Sequence, residues 1–319
     1  MEPLPCCFSI WASAISRAAS RPLMSLLVSG ARPRTLGAGI VPVLVGTAAA
    51  GRFIAWRFGA ALLVAIGLQV GVNYLNDYFD GIRGVDTPER VGPPRLVATG
   101  LASPLSVLAA ALAAIAVAGF AGLALALTTA PVLILFVGAL ALIAAFAYSG
   151  GPRPYAGLGM GEVMVFLFFG LMATCGTAFV MTESVPASAW WCGAVLGFLS
   201  VAILLANNLR DIPTDAATGK RTLAVRLGEV RTRFLYRACV VAAFGTIVVG
   251  VVTFILDERI GLTQWGLLGL AGWIPAIRPM EAVGVATGRE LVPVLSETAA
   301  VHAATGLLLA LGLVLARTA

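Results

Sequence analysis

"GVNYLNDYFDGIRGVDTPERVGPPRL", Gly71–Leu96, closes a long apolar run with three aspartates, Asp77, Asp80 and Asp86, just beyond Asn73 and Asn76. Carboxylates at the end of a hydrophobic helix are costly unless positive charge sits among them. The run they close, near 59–78, is one of nine apolar stretches; the others lie near 35–51, 104–128, 131–148, 161–182, 188–207, 234–256, 262–277 and 298–316. Each is close to the roughly 20 residues that cross a bilayer. The expected fold is an all-α polytopic membrane protein, about nine transmembrane helices around a central cavity.

Composition agrees. Of 319 residues 60% are hydrophobic and only 11% charged, with a mean hydropathy of +0.97, whereas soluble domains carry about 25% charged residues. With the N-terminus placed in the cytoplasm, 17 of the 21 Lys and Arg residues fall on the inner side, leaving only Arg52, Arg57, Arg259 and Arg317 outside. The basic pI of about 9.4 therefore reports orientation, and a nucleic-acid partner is not implied. Five cysteines show no CxxC or Cys/His spacing, and the single histidine, His302, has apolar neighbours, which argues against zinc and disulfides. Residues 1–23 lack the continuous apolar core of a secretory signal, and Met24 opens a natural alternative start. Residues 1–29 are expected to be an extension outside the fold and 30–319 a single transmembrane domain.

The opening motif has a counterpart. "NYLNDYFDGIRGVD" at 73–86 and "NNLRDIPTD" at 207–215 each follow an apolar helix, start with asparagine and present aspartates, Asp80 and Asp211 being 131 residues apart. On a helix Asn73 shares a face with Asp77, Asn76 with Asp80, and Asn207 with Asp211, each pair four apart. Pro213 is expected to end that helix and to leave Asp215 on a fresh turn. Both long connections, 79–103 and 208–233, are expected to be loops on the inner side.

Acidic residues just inside a helix end are often simply solvated. Two matching motifs hold six of the fifteen carboxylates, Glu89 included, and favour a site instead. Like charges brought together must protonate or bind cations. Mg2+ takes oxygen ligands and shares phosphate oxygens with a substrate, so two Asp-rich helix ends form a diphosphate clamp. Arg83, Arg95, Arg210, Lys220 and Arg221 supply the remaining positive charge. In "AYSGGPRPYAGLGMGE", 147–162, a tight turn explains most of the Gly and Pro, while Tyr148 and Arg153 are candidates to face an aromatic or anionic substrate. "GRELVPVL", 288–295, is expected to be a loop entering the last span.

These segments, with "GARPRTL" upstream, resemble the UbiA superfamily of membrane-embedded aromatic prenyltransferases, and within it the branch that prenylates 1,4-dihydroxy-2-naphthoate in menaquinone synthesis. The resemblance runs from about 30 to 319. It implies transfer of a polyprenyl chain from polyprenyl diphosphate to an aromatic acid, with loss of CO2 and diphosphate, in a cavity open to the cytoplasm and laterally to lipid. It implies Mg2+ as cofactor, held by Asn76, Asp80, Asn207, Asp211 and Asp215, in the plasma membrane. Substrate contacts fall to Arg34, Arg83, Arg95, Arg153, Arg210, Lys220, Asn73 and Asn208, with Arg289 a further candidate for the acceptor carboxylate. Asp77 is an extra carboxylate beside Asn76; Asp77, Asp86 and Tyr148 are the candidates for a base.

Two rivals remain. "DYFDG" at 77–81 fits the opening of CDP-alcohol phosphotransferases, but their second acidic pair comes about 20 residues later, where this chain has only Glu89. A cation-coupled transporter would use the same acids, though nearer the membrane midplane.

Overall fold

The computed structural model describes residues 22–86, 92 and 95–318, with the side chain of Arg34 outside the described residues. Among these residues the chain is helical without a strand. The helices are α1 (Leu23–Gly30), α2 (Gly37–Ala50), α3 (Ala55–Ile82), α4 (Pro104–Thr128) and α5 (Pro131–Ser149). They continue with α6 (Gly161–Thr182), α7 (Ala187–Ala217), α8 (Leu223–Leu256), α9 (Trp273–Ala282) and α10 (Leu291–Leu315).

Seven helical runs are long and apolar enough to cross a membrane: α3 to α8, and α10 with the turn that leads into it. The expected nine is thus seven by that measure. The stretches near 35–51 and 262–277 become the 14-residue α2 and a 3-10 run, Gln264–Gly272, continued by α9. At 1.5 Å per residue α2 is only about 21 Å long.

Local chemistry sets several boundaries. Pro104 and Pro131 open α4 and α5 where a missing N–H is harmless, and the Ser103 hydroxyl accepts from the amide of Ser106. Arginines close helix C-termini by donating to carbonyls that lack an intrahelical partner. Arg57 reaches Thr128 and Val180, each at 2.8 Å, and Arg317 reaches Ala49 at 2.8 Å. Pro213 does not end α7, which continues to Ala217; proline's fixed φ suits a helix, and its lost N–H falls in the last turn and a half. Asp215 therefore stays one turn beyond Asp211. The expected loop at 208–233 shrinks to residues 218–222, because α8 starts at Leu223 and passes a kink at Gly228, φ 73°.

Burial ranks the helices. In its most apolar window α7 is 72% buried, against 22% for α4 and α5. So α7 is the axis of the bundle, while α4 and α5 present most of their surface to lipid. The main core joins α7, α8 and α10 through Leu196, Leu199, Tyr236, Ile247 and Leu309. Gly170 of α6 meets Gly193 and Gly197 of α7 so closely that a Cβ at Gly170 would overlap backbone. That contact lies within a π-helical segment of α6, Phe166–Met172.

A second core packs α1 onto α3: Leu26 lies with Tyr74, Leu75 and Leu96. Residues 23–29, expected to belong to an extension, are helical in α1, with Leu26 buried in this core. Leu26 and Leu27 supply the apolar contact that an N-terminal extension would lack.

Candidate active site at the acidic helix ends

The four-residue spacing of the first motif becomes two faces of α3. On one face Asn73 donates to the Ala31 carbonyl at 3.0 Å, and the Asp77 carboxylate accepts the amides of Leu96 and Val97, each at 2.9 Å. Gln69 and Tyr74 extend the grip by donating to Thr35 (2.7 Å) and Leu27 (2.6 Å). This face holds the N-terminal segment and the far end of the loop after α3. The other face carries Asn76, whose amide oxygen accepts from Ser149, and Asp80, paired with Lys220 at 2.9 Å.

In the second motif Asp211 and Asn207 find a partner on their own helix. Arg210 grips Asp211 with two hydrogen bonds, 2.7 and 2.8 Å, and donates a third to Asn207 at 2.9 Å. Asp211 and Arg210 are both buried. Asp215 is half-buried and adds its charge beside Lys220. Burial pulls the Lys220 pKa down, but Asp80, Asp215 and Tyr148 outweigh it and hold the ammonium above its ordinary value. Lys220, on the short connection after α7, thus links the two acidic motifs.

A cavity of about 590 Å³ opens at this pair, lined by Asp80, Arg83, Tyr148, Arg153, Lys220 and Arg221 among others. Tyr148 lies edge-on to Tyr155, ring centroids 5.3 Å apart, and within electrostatic reach of Lys220, Glu162, Asp80 and Arg32. Arg83 spans to the Ser149 and Gly151 carbonyls, 2.6 Å each, and so fixes the turn after α5.

Several expected residues sit elsewhere. Asp86 pairs with Arg95 at 3.1 Å and staples the loop whose middle, Glu89 included, lies outside the described residues. Asn208 donates to Glu162 at 3.0 Å, away from the cavity lining. Arg34 belongs to the 3-10 turn Pro33–Thr35; its side chain lies outside the described residues. Arg289 lies in an exposed 3-10 turn ahead of α10, closed by a Thr287–Glu290 capping box. Two residues that sequence reasoning passed over, Arg32 and Glu162, lie within electrostatic reach of Tyr148. Glu162 ends the quoted glycine-rich segment, and its place in the first turn of an apolar helix was the available signal.

The donor set expected from the two motifs is oxygen-only: carboxylates of Asp80, Asp211 and Asp215, and amide oxygens of Asn76 and Asn207. Among the described residues no three His, Cys, Asp or Glu side chains converge to hold a metal by themselves. The set suits a hard divalent ion that completes its shell with substrate oxygens and water.

Comparison with known proteins adds the following. The UbiA prenyltransferase family matches residues 39–283. A 1,4-dihydroxy-2-naphthoate octaprenyltransferase of Mycobacterium tuberculosis is 48% identical over 279 residues, covering 85% of this chain and 90% of that protein. Its namesake in Escherichia coli K12 is 37% identical over 216 residues, 65% and 70% of the two chains. Among solved structures, the apo form of a UbiA homologue from Aeropyrum pernix superposes with a TM-score of 0.66 at 18% identity, covering 88% and 98%. A UbiA homologue from Archaeoglobus fulgidus bound to GPP and Mg2+ gives 0.58 at 17% identity, covering 89% and 98%. The two solved structures share the fold.

Proposed function

The chain belongs to the UbiA prenyltransferase family, and on that premise we propose that it transfers a polyprenyl chain from polyprenyl diphosphate to 1,4-dihydroxy-2-naphthoate, releasing CO2 and diphosphate. One observation carries the donor half: Asp80 and Lys220, from helix ends 140 residues apart, meet at the mouth of a single cavity. The acceptor half rests on the relative that is 48% identical across 85% of the chain.

Asp80, Asp211 and Asp215, with Asn76 and Asn207, would hold Mg2+, which neutralises charge on the departing diphosphate. The chain's own cations do the rest of that work. Lys220, Arg153 and Arg221 line the cavity and meet the anionic end of the donor. Arg210 keeps Asp211 and Asn207 in one orientation through its three hydrogen bonds. Arg83 holds the turn that carries Arg153 and, over the Phe79 ring at 5.4 Å, stays anchored to α3. Tyr148, held edge-on by Tyr155, offers an aromatic face to a flat acceptor, and the apolar bundle keeps water from the allylic cation. With the N-terminus in the cytoplasm, the site faces the inner side of the plasma membrane, as the distribution of arginines favours.

Purified protein assayed with Mg2+, a polyprenyl diphosphate and a panel of aromatic acids, read by mass spectrometry, tests this. Prenylated, decarboxylated naphthoate is the expected product, with little from 4-hydroxybenzoate or homogentisate. A better yield from hydroxybenzoate would remove the naphthoate assignment and leave prenyl transfer standing. Solute accumulation in proteoliposomes without diphosphate release would favour a transporter instead.

A further inference from the structure

Four carboxylate residues are buried among the described residues: Asp77, Asp80, Glu162 and Asp211. Asp77 accepts two backbone amides, Asp80 pairs with Lys220, and Asp211 pairs with Arg210. Glu162, 5% exposed in the first turn of α6, forms no ion pair among the described residues. Its side chain accepts the Asn208 amide at 3.0 Å. A carboxylate in that place costs stability that an apolar side chain would not, and what it grips is α7, the axis of the bundle.

Asn208 lies on the stripe of α7 that bears the acids. Asn208, Asp211 and Asp215 follow at intervals of three and four residues, so they rise along one face. Asn207 is held from within the helix by Arg210, whereas Asn208 is held from α6. The two helices run antiparallel along this seam: a Cβ at Gly170 would overlap the backbone of Gly193 and Gly197, and one at Gly197 would lie 2.7 Å from the Phe166 ring. The Glu162–Asn208 bond closes the same seam at the end nearest the acidic motif.

Glu162 also stands just past a wall of the cavity. Gly151 to Pro154 and Ala156 to Leu158 line it, Arg153 among them. The start of this wall is tied to α3, by Arg83 to the Ser149 and Gly151 carbonyls and by Ser149 to Asn76. Its far end is tied to α7 through Glu162 and Asn208. The wall thus hangs between the helices of the two acidic motifs. We infer that Glu162 is a positioning residue for prenyl transfer: by accepting the Asn208 amide it holds the acidic face of α7 in register with the cavity wall that carries Arg153. The inference rests on the reading given under Proposed function. With the bond in place, the aspartates expected to hold Mg2+ keep one orientation toward the cations that receive the diphosphate. Without it α7 can turn against that wall, and metal and donor bind less tightly while the chemistry of the bound complex is kept.

The test uses the full-length protein. Half-saturating Mg2+ is read from turnover of polyprenyl diphosphate with 1,4-dihydroxy-2-naphthoate, and metal binding is read directly from the EPR signal of free Mn2+ with a non-reactive diphosphate analogue present. Glu162→Leu should weaken both about tenfold, the lower end of what support of a metal site contributes, while kcat at saturating Mg2+ stays within severalfold of normal. A residue that only stabilised the fold would lower the amount of folded protein and leave its metal affinity alone. Glu162→Gln keeps an oxygen that accepts from Asn208 and should restore most of the metal affinity. Asn208→Ala should match Glu162→Leu, and the two together should be little worse than either, because they break one bond. An unchanged Mg2+ dependence in Glu162→Leu, a deficit that saturating Mg2+ does not relieve, or additive losses in the double variant overturns the proposal while the prenyltransferase reading stands. Failure of the wild-type protein to prenylate the naphthoate with Mg2+ overturns both. Should Glu162→Leu not fold, as judged by thermal unfolding, Asn208→Ala with the same two measurements gives the decision.

Discussion

Asn73 and Asp77 lie on one face of α3, Asn76 and Asp80 on the next, and the same residue pairing is put to opposite uses. The first pair takes backbone partners: one carbonyl from the N-terminal turn and two amides from the loop beyond the helix. The second pair meets side chains, Ser149 and Lys220, at the cavity. Backbone partners cannot leave without unfolding the segment that bears them, whereas a lysine can turn to a phosphate. A carboxylate held by backbone amides supports the fold, and one balanced by a lysine side chain at a cavity has a partner that can be exchanged.

The strongest way to break this distinction is to neutralise the cavity face. Asp80→Asn should abolish turnover while the protein still folds, and Asp211→Asn should do the same. The double variant should be little worse than either alone, because residues that act as one unit are not additive. Substantial activity in either single variant at saturating Mg2+ would remove that aspartate from the chemistry, and in Asp80→Asn it would erase the contrast.

Lys220→Met is the next test, since it removes the link between the motifs. Donor affinity should fall by about tenfold to a hundredfold, as the loss of a charge-assisted contact of roughly 1.5 to 3 kcal/mol implies. Isothermal titration with a non-reactive diphosphate analogue measures it, and unchanged affinity would assign Lys220 to the scaffold.

Asp77→Asn sharpens the comparison from the other side. It keeps the shape but leaves one of two buried amides without an acceptor, which should lower stability by about 1 to 3 kcal/mol. Turnover at low temperature, where the protein stays folded, should remain within severalfold of normal. A loss as complete as that of Asp80→Asn would put Asp77 in the chemistry after all. Smallest of all, Tyr74→Phe removes one hydrogen bond to Leu27 and should cost about 1 kcal/mol, with catalysis untouched. Protease resistance of the N-terminal helix is the sensitive measure.

Much of this was legible from residue order. The apolar runs marked the helices because a membrane span is a statement about composition alone, and the four-residue spacing of Asn and Asp needed only the helical period. Which face of α3 was scaffold was not legible, because it depends on Leu96, Val97 and Ala31, residues whose backbones bear no mark of the contact. Pro213 misled for a different reason: proline lowers the stability of a helix interior, but near its last turn only one hydrogen bond is at stake, and burial of α7 outweighs it. The stretches near 35–51 and 262–277 were legible as apolar runs, but composition does not give the helix type or length, and the first forms the 14-residue α2 while the second starts as a 3-10 run, Gln264–Gly272, before α9. Glu162 stands at the end of a glycine-rich segment that reads as a turn, and only the fold brings Asn208 to it.

Lys220 also imposes an order on biogenesis. The ribosome completes α3 and its carboxylates 140 residues before the lysine that balances Asp80 is made. At roughly 5 to 20 residues per second that interval is on the order of 7 to 30 seconds. Through it the nascent chain carries an uncompensated acid at the membrane boundary, and α7 must already have entered the bilayer before the counter-charge arrives. Insertion intermediates arrested before residue 220 should therefore leave Asp80 open to a water-soluble carbodiimide, and those arrested well beyond it should not.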